Sequence, residues 1–133
     1  MLLKITIRLL LTQILFVNAK ILFDAEYFKQ EILTHILRVR ISDTSGLRMV
    51  QNFIIGKLMK LGWSVQREDF KASTPFNKAL NFVNIVATHD LRAHHRIVFA
   101  CHYESKYFTP NGKRVFLGAI DSAVPCAIMI HLA

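Results

Sequence analysis

Apolar residues recur at Phe28, Ile32, Ile36 and Val39, a spacing of three and four that gathers them on one helical face. Asp24 and Glu26 stand at the front of this run and Arg38 and Arg40 at its end, as the helix dipole favours. The turn and capping residues Ser42-Asp-Thr-Ser-Gly46 then break the pattern. A second helix follows, with Leu47, Val50, Ile54, Leu58 and Leu61 on one side and Gly62 as its stop. Its other side carries Arg48, Gln51, Lys57 and Lys60, so the pattern predicts one core-facing and one solvated face.

Beyond Gly62 the period shortens. Trp63 to Phe70 partly alternates apolar and polar residues, as a strand at or near a sheet edge does. Lys71 to Pro75 reads as a loop, Asn81 to Thr88 as a second strand, and His89 to His95 as a polar hairpin connector. Arg96 to Tyr103 is the most continuously apolar strand pattern, which predicts a central position. Polarity returns at His102-Tyr-Glu104, and a turn containing Pro110, Asn111 and Gly112 follows. After Gly118-Ala-Ile-Asp121, Pro125 opens an apolar helix that runs to Ala133. The order helix, helix, strand, strand, strand, helix predicts an α/β domain with a mixed sheet. A parallel crossover would place another strand next, so the sequence reads as stopping partway through a larger domain.

Composition adds to this picture at the N-terminus. Lys4 and Arg8 precede an apolar run from Leu9 to Val17, and Val17 and Ala19 are small residues at the −3 and −1 positions of a cut before Lys20. This is the pattern of a secretory signal peptide over residues 1–19; a membrane-anchoring or amphipathic helix is the rival reading, and the run is too short to span a bilayer. Residues 20–133 are then one small domain, and a hydrophobic content of 53% argues against disorder. The formal charge of +8 falls once Lys4 and Arg8 are removed, and the remaining cations are scattered apart from Arg92, His94, His95 and Arg96. Without a basic stripe or a reading module, nucleic acid is not an expected partner, nor is a membrane after signal cleavage. The two cysteines, Cys101 and Cys126, form an even pair in a chain that reads as secreted, a context that permits a disulfide. No CxxC or Cys–His cluster makes them zinc ligands, and no Asn-x-Ser/Thr sequon occurs.

Candidate chemistry gathers between those cysteines. Asp121, just ahead of a helix, suits either a helix cap or a metal ligand. His102 suits a ligand, an orienter of a ligand, or a core histidine. Glu104, two residues on, would point to the same face and could hydrogen-bond the imidazole, an arrangement that supports metal sites. A nucleophile at Ser105 or Ser122 lacks a Gly-x-Ser-x-Gly elbow, and Cys101 would face away from its neighbour His102. HExxH, Gly-rich phosphate loops and EF-hand patterns do not occur.

The run Ala100-Cys-His-Tyr-Glu-Ser-Lys-Tyr-Phe108, followed by Arg114-Val-Phe-Leu-Gly-Ala-Ile-Asp-Ser-Ala-Val-Pro-Cys126, closely resembles animal glutaminyl-peptide cyclotransferases. These glutaminyl cyclases are secretory-pathway zinc enzymes related to the M28 aminopeptidases. The resemblance extends more loosely upstream through both helices and Asn84-Ile-Val. It implies a three-layer α/β/α sandwich with a mixed central sheet, here incomplete. It makes Asp121 the first zinc-binding aspartate, pairs Cys101 with Cys126 in a disulfide beside the site, and places His102 and Glu104 near the single zinc. The family usually has Asp at the position of Glu104 and Thr at that of Ile120. The resemblance also puts the proton-shuttling glutamate and the other zinc ligands beyond Ala133, leaving no catalytic residue within this chain. The implied reaction converts the N-terminal glutamine of peptides to pyroglutamate with release of ammonia, and the 133 residues alone are expected to be inactive. An M28-type zinc aminopeptidase and a shortened, non-catalytic paralogue are the competing readings.

Overall fold

Asp24 starts the first helix by accepting a hydrogen bond from the Tyr27 amide at 2.9 Å, which satisfies one of the donors a helix N-terminus leaves open. The computed structural model describes residues 23–75, 79–107 and 116–133. The signal-peptide expectation and the turn at Pro110 to Gly112 lie outside the described residues. Helix α1 comprises Ala25–Tyr27, a π-helical stretch Phe28–Leu33, and Thr34–Ile36. Ile32 and Ile36 are fully buried, and Phe28 packs against the same cluster. The helix ends before Val39, so that residue does not share the helical face that its spacing predicts.

Helix α2 spans Ser45–Lys60. The Thr44 hydroxyl caps it, accepting from the Leu47 amide at 3.4 Å, and Gly62 ends it with a φ of 86°. In that left-handed conformation the Gly62 and Trp63 amides reach back to the Met59 and Leu58 carbonyls at 3.0 and 3.1 Å, the closure that favours glycine after a helix. Leu47, Val50 and Ile54 are buried, as their spacing predicts. Gln51, expected on the solvated face, is buried as well, because its side-chain amide meets the Tyr103 hydroxyl, and Leu61, past the helix end, is exposed.

Strands β1 (Ser64–Ala72) and β2 (Leu80–Thr88) pair antiparallel, from Ser64 opposite Thr88 to Ala72 opposite Leu80. Helix α3, Val124–Leu132, carries Pro125 in its first turn and buries Cys126, Ala127 and Ile130. These residues join Ile32, Ile36, Leu47, Val50, Ile54, Tyr103 and Ala123 in one core, so α1, α2 and α3 share a single apolar interior. No helix among the described residues is long and apolar enough to cross a membrane.

The class is α/β, but the third strand needs correcting. Arg96 to Tyr103 does not join a sheet, and among the described residues the sheet has two strands, β1 and β2. Ile97 and Val98 are 84% and 85% exposed. A continuously apolar strand is stable when neighbours take its backbone hydrogen bonds and cover both faces. Here neither face of Ile97 and Val98 is covered by the described residues. Tyr103, at the end of the segment, is the point where it enters the core.

Candidate metal centre

Two segments bring the candidate residues together. The first, Cys101 to Tyr107, runs without regular secondary structure. The second is a π-helical turn, Ala119–Ala123, leading directly into α3. Gly118 precedes that turn with a φ of 56°, and a Cβ there would stand 2.5 Å from the Asp121 carbonyl oxygen. Glycine is therefore required by both conformation and space. At Asp121 the backbone leaves helical geometry (φ −116°, ψ 84°), and the Asp121–Ser122 peptide is cis.

The Asp121 side chain faces His102. Asp121 Oδ1 lies 2.7 Å from His102 Nε2, and the two side chains are 75% and 56% exposed. Asp121 therefore does not act as the helix cap that its position also suggested; its hydrogen bond goes to an imidazole across the chain. His102 Nδ1 lies 3.0 Å from the Glu104 main-chain oxygen. Both the Glu104 carbonyl and the Asp121 carboxylate are hydrogen-bond acceptors, so each contact is made by a protonated ring nitrogen and the tautomer decides which one donates.

The role of Glu104 differs from expectation. Its main-chain carbonyl, not its carboxylate, orients the imidazole. Same-face geometry belongs to a paired, regular strand, whereas Cys101 to Tyr107 is unpaired and the ring folds back over its own backbone. Carbonyl contact with a ring nitrogen serves the same purpose as carboxylate contact in one respect: it fixes the direction of the ring.

The serine hydroxyls are committed elsewhere. Ser122 Oγ donates to the His102 main-chain oxygen, and Ser105 Oγ accepts from the Arg40 amide at 2.9 Å. Neither is placed against the imidazole as a nucleophile. Cys101 and Cys126 form a disulfide with Cα atoms 5.8 Å apart, linking the residue before His102 to the first turn of α3. Ile120, the residue before Asp121, is 86% exposed.

As a donor set, an accessible carboxylate and an imidazole suit zinc in kind. In number they fall short, since a catalytic zinc takes three protein ligands and no cluster of three metal-ligating side chains occurs among the described residues.

Comparison with known proteins shows what the chain is similar to. Residues 84–133 match the model of peptidase family M28, a range that contains His102, Asp121 and both cysteines. The mouse (Mus musculus) glutaminyl-peptide cyclotransferase-like protein is 45% identical over 102 residues, covering 75% of this chain and 26% of that protein. The chain is related to the glutaminyl-peptide cyclotransferases. The Drosophila melanogaster glutaminyl-peptide cyclotransferase is 39% identical over 104 residues, covering 78% of this chain and 28% of its own length. The crystal structure of Macrostomum lignano glutaminyl cyclase superposes with a TM-score of 0.72 at 31% identity, covering 82% of this chain and 32% of that one. The chain thus spans a little over a quarter of the length of the curated cyclotransferases it matches.

Sequence reasoning overlooked Arg40. It was read only as a favourable charge at a helix end, yet its side chain is fully buried. The available signal was a second arginine two residues after Arg38, past the last apolar position of the helix, where no dipole argument requires two cations.

Proposed function

We propose that this chain forms one wall of the zinc site of a glutaminyl-peptide cyclotransferase, which closes the N-terminal glutamine of peptides to pyroglutamate and releases ammonia. The observation that carries the reading is the 2.7 Å approach of Asp121 to His102 at a disulfide-stapled turn, in a chain related to that family. Asp121 is the residue that would hold the metal, and His102 orients its carboxylate. Glu104 fixes the imidazole through its main-chain oxygen, and the Cys101–Cys126 bridge fixes both segments against α3. Bound zinc would supply Lewis-acid polarisation of the glutamine γ-carboxamide. The acid–base group that takes the α-amine proton and delivers it to ammonia is assigned to no residue of this chain. With one metal-holding carboxylate and one imidazole among the described residues, the 133 residues by themselves hold zinc weakly and turn over no substrate.

Zinc content and ammonia release from a Gln-initiated peptide test this, with D121N beside the unaltered chain. The expected result is weak zinc retention that D121N lowers further, without ammonia release. Turnover by the 133-residue chain would sink the claim of insufficiency, and zinc retention unchanged in D121N would remove Asp121 as ligand. The M28 match also supports an aminopeptidase; release of amino acids from peptides lacking N-terminal Gln, by a longer polypeptide that includes this sequence, would favour it. We further propose passage through the secretory pathway, since a disulfide persists in an oxidising compartment. N-terminal sequencing of the exported protein should begin at Lys20.

A further inference from the structure

The Arg40 side chain is buried, yet among the described residues no carboxylate lies within ion-pair distance of it. Its guanidinium instead meets main-chain oxygens from separate parts of the chain. Nε donates to Tyr103 O at 2.7 Å, and Nη2 to Gly118 O at 3.0 Å. Nη1 shares its protons among Ile36 O, Arg38 O and Leu117 O at 3.0, 2.8 and 2.7 Å. The backbone of the same residue pairs with Ser105 in both directions: the Arg40 amide donates to Ser105 Oγ at 2.9 Å, and the Ser105 amide donates to Arg40 O at 2.8 Å.

We propose that Arg40 is the positioning residue of the His102–Asp121 pair, clamping the Leu117–Gly118 turn that leads to Asp121 onto the Tyr103–Ser105 segment that follows His102. Gly118 O accepts from Arg40 and also from the Ala123 amide at 3.0 Å, so one oxygen joins the clamp to the far end of the Asp121 turn. The fit is close on both sides. A Cβ on Gly118 would stand 3.1 Å from Arg40 Nη2.

Stability alone does not account for this arrangement. Burying a guanidinium without a paired carboxylate is costly, the Glu104 charge offsetting that burial only in part, and an apolar side chain of similar volume would fill the space at less cost. A planar fork of donors, however, can hold carbonyls in several directions at once, which a lysine ammonium on a flexible stem cannot do. The carbonyls it holds border the two segments whose relative position sets the 2.7 Å contact between His102 and Asp121. The consequence for metal holding rests on the functional reading above; the clamp and its test do not.

The test uses the full chain without metal, comparing R40K, S105A and D121N with the unaltered protein. Two readouts are taken: amide hydrogen exchange, and the ring ¹⁵N resonances of His102. In R40K the Ala123 and Ser105 amides should exchange roughly tenfold faster or more, while amides in α2 keep their rates. The His102 Nε2 resonance should move toward its position in D121N, where the carboxylate partner is gone. S105A, which removes one acceptor from the Arg40 amide, should shift the same signals less and in the same direction. A uniform rise in exchange across α2 and the Asp121 turn would mark Arg40 as merely structural and overturn the proposal. So would an unshifted His102 resonance in folded R40K. If R40K does not fold, S105A decides, and an unchanged His102 resonance there overturns it. Failure of the full chain to bind zinc would count against the functional reading and leave these outcomes unaffected.

Discussion

Gln51 donates its side-chain amide to the Tyr103 hydroxyl at 3.2 Å, and that hydroxyl in turn donates to the Val83 main-chain oxygen. Gln51 belongs to α2, Val83 to β2 and Tyr103 to the segment carrying His102, so one phenol ties three parts of the fold together. All three residues are buried, which makes each bond costly to lose. In Y103F the Gln51 amide and the Val83 carbonyl would lose their shared partner without gaining water. The expected destabilisation is about 1–3 kcal/mol, the penalty for stranding buried polar groups, and chemical denaturation would measure it. A midpoint unchanged from that of the unaltered chain would show that the hydroxyl is dispensable.

The same phenol should make stability fall at alkaline pH. Burial raises the Tyr103 pKa above its ordinary value, opposed by the Gln51 hydrogen bond and reinforced by the Glu104 charge. A group whose folded pKa is raised binds its proton more tightly in the native state, so its contribution is complete below the unfolded pKa of about 10 and is lost as pH rises through the folded pKa. Melting temperature should therefore decline above pH ~10 more steeply in the unaltered chain than in Y103F. Parallel declines would remove Tyr103 as the cause.

At the acid end Asp43 sets the opposite dependence. Its Oδ1 accepts from the Asn81 side-chain amide at 2.8 Å and its Oδ2 from the Asn81 main-chain amide at 3.3 Å, linking the turn before α2 to β2. The side-chain bond from Asn81 is the main cause holding the Asp43 pKa below its ordinary value, with the main-chain bond adding to it. Its contribution is therefore present above the unfolded carboxylate pKa and lost as pH falls through the folded one. D43N should flatten that acid-side loss. It is also the gentler replacement, because Asp43 has a φ of 64°, a conformation that asparagine tolerates. An acid-side profile identical in D43N would assign the loss to other carboxylates.

The helices were the legible part of this sequence because their signals are local. Thr44 and Gly62 bound α2, and Leu47, Val50 and Ile54 mark its buried face, all within one stretch of chain. The first two strands were readable for the same reason, since partial alternation over Trp63 to Phe70 and the β-rich run Asn81 to Thr88 are both local signals. Arg96 to Tyr103 was misread because a central strand is defined by neighbours, and residue type reports only the preference for having them. In the site, residue type singled out Asp121 and His102 as candidates for the site, while the resemblance pointed to zinc. That Glu104 acts through its carbonyl, and that Arg40 turns inward, depend on the paths of separate segments through space. No local periodicity encodes those paths.

The Cys101–Cys126 bridge provides the most direct check on how far the site depends on the core. It closes a separation of 25 residues, for which chain entropy predicts about 3.5 kcal/mol of stabilisation. In a domain of this size that corresponds to a fall in melting temperature of more than about 10 °C in C101S/C126S. Both half-cystines also pack on the core that α1, α2 and α3 share, so the loss should extend beyond the site. The Ser122 hydroxyl still joins the turn to the His102 main-chain oxygen when the bridge is gone. The two segments should therefore stay in register below the lowered melting point, with the His102 ring resonances near their original positions. A reductant should lower the melting temperature of the unaltered chain to that of the double variant and leave the variant unmoved. Equal melting temperatures with and without reductant would show that the bridge adds nothing to stability, and scattered His102 resonances would show that it alone aligns the pair.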